Sequence, residues 1–156
     1  MLKAYRYKLE PNKQQRYALA RTLDVCRDLY NDCLTQRKMH KVSRFYQQAE
    51  LPALKAAFPV YKNVYSQVLQ SVVDRLNKSF NNFFRSGFGF LRYKGQNRYD
   101  SFCYPQAGFS LNGKQLSLAK IGNVKVRLSR ELPKDAVIKT CTVKTLSIGM
   151  VCDSDC

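Results

Sequence analysis

Histidine is nearly absent from this 156-residue chain, with His40 alone, and no two of its six cysteines stand in a Cys-x-x-Cys spacing. A four-ligand zinc site therefore has no framework, and Cys152 with Cys156 offers only a weak two-ligand half-site, so no metal site is expected. Cys26, Cys33, Cys103, Cys141, Cys152 and Cys156 show no regular spacing. Without a signal-peptide apolar run beside them, they point to a reducing compartment and to use as small core residues. Cys26 and Cys33, seven apart, share one helix face, which suits burial. No stretch approaches the roughly 20 apolar residues of a spanning helix. Residues 1–10 alternate apolar with polar side chains, so the expected location is cytoplasmic and nucleoid-associated, with no membrane partner. Acidic residues are also few: 11 Asp plus Glu face 27 Lys plus Arg, for a net charge of +16. A polyanion is the expected partner. Since 45% of the residues are hydrophobic, that charge sits on a folded domain and not on a disordered tail.

What is abundant is the alternation of aromatics and cations over residues 65–99. Phe80, Phe83, Phe84, Phe88, Phe90, Tyr93 and Tyr99 offer flat faces there, while Arg75, Lys78, Arg85, Arg92, Lys94 and Arg98 offer charge for phosphates. Only Asp74 and Asp100 bracket the run. This is the composition of a nucleic-acid-binding surface, although at helical spacing most of the aromatics read as core.

Along the chain, residues 2–9 alternate and are Tyr-rich, predicting a strand broken by Glu10-Pro11-Asn12. Asn12 is a good N-cap. Residues 13–41 then predict two consecutive helices with a joint near Asp24, whose polar faces carry Arg16, Arg21, Arg27, Arg37, Lys38 and Lys41; a solvated face is the plain reading of those charges. Residues 45–58 predict a helix interrupted at Leu51-Pro52 and closed by Pro59. Residues 66–85 predict a long helix with a buried stripe of Val68, Leu69, Val72, Val73, Leu76, Phe80, Phe83 and Phe84, ended by Gly87 and Gly89. After Gly95 the period changes from 3.6 to 2. Strands are expected at 99–104, 108–111, 115–118 around an Asn112-Gly113 turn, 124–128 and 136–146. The first strand has no local partner, so it is expected to pair with this later sheet. The predicted fold class is α+β, with helices inserted after the first strand of a small antiparallel β-barrel.

Particular residues carry a resemblance. Tyr5-Arg6-Tyr7-Lys8-Leu9-Glu10-Pro11 with Gln15 opens the pattern, followed by Cys26-Arg27-Asp28-Leu29-Tyr30-Asn31 with Leu34. Ser66-Gln67-Val68-Leu69-Gln70, residues 80–85, Arg92-Tyr93-Lys94, residues 101–106 and residues 121–128 continue it. In this order and spacing they resemble the N-terminal half of TnpB, also called OrfB, the transposon-encoded RNA-guided DNA endonuclease related to type V CRISPR effectors. The resemblance reaches to about Lys144. It implies a wedge-like barrel from residues 1–10 and 96–146, a helical recognition lobe at 11–95 with a helix-turn-helix-like start, and an atypical tail at 147–156.

The implied partners are a transposon-end guide RNA and duplex DNA bearing a short adjacent motif, with sequence choice left mostly to the RNA. By position, Gln70 is implied to contact the motif bases, since an amide can pair bidentately with adenine N6 and N7. Tyr46 stands where relatives carry an aromatic against the same DNA. Ser66 stands where some carry Lys, and Cys103 where relatives carry a polar or basic DNA contact. Read from the residues alone, Gln70 is an exposed helix amide, Tyr30 packs, and Asn31 hydrogen-bonds within its helix pair. Arg27 is expected to reach a nucleic-acid backbone, as are Arg75, Lys78, Arg85, Arg92, Lys94 and Arg98. Lys125 and Arg127, on one face of a strand, suit a guide RNA backbone. Leu91 replaces the Pro that relatives usually carry before Arg92.

The family's cutting chemistry resides in a RuvC-like domain whose Asp, Glu and second Asp hold two divalent ions, Mg²⁺ in use, for attack on a phosphodiester. These residues stop before that domain. Asp153 and Asp155 are too close together to be its acids, so no catalytic residue, no cofactor in this chain and no nuclease activity are expected: a truncated transposase-type protein. Two other readings stay open. One is a free-standing helix-turn-helix regulator in residues 13–41, reading bases through Arg27, Asp28, Asn31 and Gln36. The other is an RNA-binding accessory protein.

Overall fold

A computed structural model of the chain describes residues 2–87, 91–96, 98–133 and 136–153. Phe88, Gly89, Phe90, Asp155 and Cys156, singled out above, lie outside the described residues. Two compact units are present, residues 1–21 with 100–156, and residues 22–99. Among the described residues no helix is long and apolar enough to cross a membrane.

The first unit is a curled seven-stranded antiparallel sheet. Its strands are β1 (Leu2–Glu10), β2 (Ser101–Tyr104), β3 (Phe109–Asn112), β4 (Gln115–Leu118), β5 (Gly122–Arg127), β6 (Val137–Lys144) and β7 (Ser147–Asp153). Their order across the sheet is β2-β6-β7-β1-β5-β4-β3. The expected pairing of the first strand with later ones is present: β1 pairs antiparallel with β5 and β7. Alternation decides which face is inside. Tyr5, Tyr7 and Leu9 of β1, Val124 and Val126 of β5, and Ile148, Met150 and Cys152 of β7 are buried, whereas Arg6, Lys8, Lys125 and Arg127 are exposed. The two edge strands approach through side chains. Tyr104 of β2 donates its hydroxyl to the Ala119 carbonyl at 2.9 Å and meets the Phe109 ring edge-on at 6.4 Å.

Two expectations are corrected here. Residues 147–153, read as an atypical tail, form a central strand between β1 and β6. Their apolar alternation, Ile148, Met150, Cys152, supplies the inward face a strand needs. The hairpin turn after β3 is Gly113-Lys114, one residue later than predicted, because Asn112 pairs with Gln115; Gly113 takes the φ of +60° that the tight turn requires.

Helix α1 (Lys13–Met39) is continuous, and the division between the units falls within it. No joint occurs at Asp24. Asn12 and Gln15 start the helix reciprocally: the Gln15 amide N–H donates to Asn12 Oδ1 at 2.8 Å and the Asn12 N–H to Gln15 Oε1 at 3.0 Å. The Gln15 side-chain amide also donates to the Asn123 carbonyl at 2.6 Å, tying the helix start to the β5 strand.

The second unit contains the rest of α1, then α2 (Arg44–Ala49), α3 (Leu51–Ala57), a 3-10 turn (Pro59–Asn63) and α4 (Ser66–Ser86). Ser43 caps α2 by accepting from the Tyr46 N–H, and Pro52 opens α3 where a missing N–H costs nothing. Val25, Cys26, Leu29, Tyr30, Cys33 and Leu34 of α1 are buried, as are Val68, Leu69, Val72, Val73 and Leu76 of α4. Each large aliphatic side chain so removed from water contributes about 1.5–3 kcal/mol. The α4 stripe does not extend as far as predicted. Phe80 and Phe83 are half-buried and Phe84 is 75% exposed, its ring stacked on Phe80 at 6.2 Å instead of on core. Gly87 stops the helix at φ +73°.

Candidate nucleic-acid interface

Beside the last turns of α4 lies a cavity of about 870 Å³, lined by Tyr30, Ser79, Asn82, Phe83, residues 91–95 and Arg98. No carboxylate is among these residues. One helical face of α1 positions the segment 92–95. Asn31 grips the Lys94 backbone twice, donating from its amide to the carbonyl at 2.9 Å and accepting from the N–H at 2.8 Å. One turn on, the Thr35 hydroxyl donates to the Tyr93 hydroxyl at 3.0 Å, and Lys38 holds its ammonium 4.5 Å above the Tyr93 ring. Lys94 itself lies over Tyr30 at 5.6 Å and Arg75 over Tyr99 at 4.5 Å. These cation and ring contacts leave the charges close to solvent while their stems cover the core.

Of the predicted backbone-contacting cations, Lys78, Arg85, Arg92 and Arg98 are exposed, and Lys94 and Arg75 are half-buried. Arg92, Lys94 and Arg98 are brought together on the cavity wall. Arg27 is held differently, between Asp24 and Asp28 at 3.8 Å each. In the sheet unit, Lys125 and Arg127 share the outer face with Lys8, which pairs in register with Arg127, and Lys125 lies 3.9 Å from Glu10. Exposed pairs at this distance are worth little and dissociate readily before a phosphate.

Tyr46, Ser66 and Gln70 all lie in the helical unit. Ser66 and Gln70, four apart, share a face of α4. The Gln48 amide stitches α2, which carries Tyr46, to this stretch by donating to the Gln70 carbonyl at 3.3 Å and to Asp74 Oδ1 at 3.0 Å. Arg44 adds an ion pair to Asp74 at 3.6 Å. Tyr46 is 50% exposed, and its hydrogen bond to Glu50 makes the phenol harder to ionise. The Gln70 side chain projects from an exposed position. Lys55 donates its ammonium to the Ser66 hydroxyl, bringing a cation to a place where the sequence showed only a serine. Cys103 lies in the sheet unit, half-buried on β2 opposite Thr142.

Of the four side chains that a regulator would read bases with, Asn31 and Gln36 are held by internal hydrogen bonds, and Arg27 and Asp28 are paired at 3.8 Å with the carboxylate exposed. Arg27 faces its two aspartates, Asn31 holds Lys94, and Gln36 donates to Glu50 at 3.0 Å while accepting from Gln47 at 3.0 Å. Asp28 is one of the two carboxylates on Arg27. Lys38, Lys55 and Asn82 stand beside the site residues singled out from the sequence and were not among them. Their spacing on helices could have shown the face they occupy, but not which loop that face meets. Arg37 is a further unassigned cation, over Phe80 at 5.2 Å and bonded to Gln47 and Asn77, with its remaining nitrogen unpartnered among the described residues. Among the described residues no group of three or more His, Cys, Asp or Glu converges as metal ligands would.

Residues 1–41 match the OrfB_IS605 helix-turn-helix domain; in the structure they hold β1 and α1 with no second helix. Over 91% of its length the chain is 31% identical to the Escherichia coli (strain K12) protein named "Putative RNA-guided DNA endonuclease InsQ", of which it spans 37%. Over 90% of its length it is 30% identical to a Streptomyces pristinaespiralis protein named "Putative RNA-guided DNA endonuclease", of which it spans 38%. The chain is therefore homologous to TnpB-type proteins across nearly all of its residues while covering well under half of theirs.

Proposed function

We propose that these residues are the nucleic-acid-binding portion of a TnpB-like transposon protein, holding a guide RNA and a short motif on duplex DNA without cutting either. The observation that carries this reading is the homology over nine-tenths of the chain, and the carboxylate-free cationic wall of the helical unit supports it. In this reading the helical unit is the recognition lobe inserted after β1, and the curled sheet is the wedge-like barrel. Gln70 reads the motif from α4, with Tyr46, Ser66 and Lys55 against the same DNA; Cys103, in the sheet unit, is a DNA contact of its own. Arg75, Lys78, Arg85, Arg92, Lys94 and Arg98 hold phosphates, and Lys125 and Arg127 hold the guide backbone. Arg27 joins them after releasing its aspartates. In this reading the chain binds without hydrolysing, and it spans 37% and 38% of the relatives named as endonucleases.

The test is anisotropy with labelled motif duplex, scrambled duplex and transposon-end RNA. Gln70→Ala is expected to lose about 1–3 kcal/mol, roughly 5- to 150-fold, on the motif duplex alone. Incubation with Mg²⁺, RNA and target DNA is expected to leave the DNA intact. Equal loss on both duplexes refutes the base-reading role, and metal-dependent cleavage refutes the non-catalytic one.

A further inference from the structure

The cavity beside α4 has more than charge. Two aromatic side chains, Phe83 and the 49% exposed Tyr93, stand with the Asn82 amide and the Arg92 and Arg98 guanidiniums around one concave space. Its volume of about 870 Å³ falls within the roughly 300–1,000 Å³ of small-ligand sites, and it stands broadly open to solvent, so a strand has access to it. Tyr93 is fixed from behind, by Thr35 at its hydroxyl and Lys38 over its ring, so its position is set before any ligand arrives. We infer that this cavity receives one unpaired nucleotide of a nucleic-acid strand, the base against Tyr93 and Phe83, its edge to Asn82, and its flanking phosphates on Arg92 and Arg98. The chemistry of the lining selects this occupant. Ring faces and an amide suit a base, guanidiniums suit phosphate, and the absence of a carboxylate among the described lining residues favours an anion. A base within a duplex has both faces covered by its neighbours, so only an unstacked one can use these rings. The inference rests on the nucleic-acid-binding reading and names which part of such a ligand this site takes.

The experiment uses the full chain with a short single-stranded RNA, a single-stranded DNA of the same sequence with a central 2-aminopurine, that DNA annealed as duplex, and a free nucleoside monophosphate. Quenching of 2-aminopurine is expected on binding of the single strand, with weaker change on the duplex. Tyr93→Ala is expected to abolish the quench and weaken single-strand binding about 5- to 150-fold, the range for loss of one base stack. Tyr93→Phe, which keeps the ring and the Lys38 contact but loses the Thr35 hydrogen bond, retains the quench and most of the binding. Asn82→Ala, at an exposed helix position, is the second probe and weakens single-strand binding several-fold. Tighter binding of RNA or of DNA identifies the strand the site serves, and either supports the inference. Intact duplex binding with no quench overturns the inference and leaves the broader reading standing, whereas failure to bind any nucleic acid overturns both. Equal losses on duplex and single strand, unaltered binding in both Tyr93→Ala and Asn82→Ala, Tyr93→Phe behaving as Tyr93→Ala, or a free mononucleotide competing as well as the strand each overturn it too.

Discussion

Asn31 illustrates what a single residue can conceal. Its sequence position announces a hydrogen-bonding helix residue, and it is one, but its partner is the backbone of Lys94, 63 positions away. Spacing along a helix specifies which side chains share a face and says nothing about which distant loop crosses it. The cysteines were more legible, because small apolar groups at core spacing need only the local pattern. Cys26, Cys33, Cys141 and Cys152 are buried free thiols as expected. Burial pushes the Cys26 and Cys33 thiols up to about 12 from an ordinary 9.0. Unfolded thiols therefore ionise from about pH 9, while these stay protonated in the folded state until about pH 12. Their contribution to stability is complete below pH 9 and declines across that window by up to ~1.4 kcal/mol per pH unit for each thiol. Urea melts at pH 8 and pH 10.5 are expected to show the decline, and Cys26→Ala, compared at the same two pH values, to show a smaller one.

At the scale of elements, period and punctuation identified β1, the interrupted α2 and α3, α4 and the β3–β4 hairpin. The supposed joint in α1 arose from Asp24, which sits exposed on the polar face between Leu23 and Val25. The buried stripe passes it through Leu19, Thr22, Val25, Cys26 and Leu29; Thr22 is a polar residue in a core position, so the apolar count lapses there although the helix does not. Asp24→Pro separates the two descriptions. In a continuous helix it removes a hydrogen bond and clashes with the preceding turn, for about 3 kcal/mol or more. The expected result is a lowered urea midpoint with loss of ellipticity at 222 nm, whereas a flexible joint would tolerate the proline. Strand β7 was missed for the opposite reason. Its alternation was present, but Ser147, Gly149 and the polar residues after Cys152 resemble an ending more than a sheet centre, and only the register with β1 and β6 shows otherwise.

For the molecule as a whole, a net charge of +16 makes binding strongly dependent on ionic strength. Each neutralised phosphate contributes about 0.9 to the slope of log affinity against log salt on duplex DNA. If the cavity-wall cations Arg92, Lys94 and Arg98 act together, replacing all three by alanine is expected to reduce that slope by between 2 and 3, in anisotropy titrations from about 50 to 200 mM salt. Charge, the combination of helices with an antiparallel sheet and the pairing of the first strand with the last sheet were readable without coordinates; which cations converge was not, because convergence depends on the path of residues 91–95. The position of β1 carries one more consequence, for biosynthesis. This strand is synthesised before every other strand of its sheet, yet one of its neighbours is the strand ending at Asp153. At about 5–20 residues per second it waits on the order of ten seconds with that edge bare. The helices encoded in between find their companions within residues 22–99 and have no such delay, so nascent chains accumulate a finished helical body attached to an unpaired ribbon, the form a holdase chaperone would meet first.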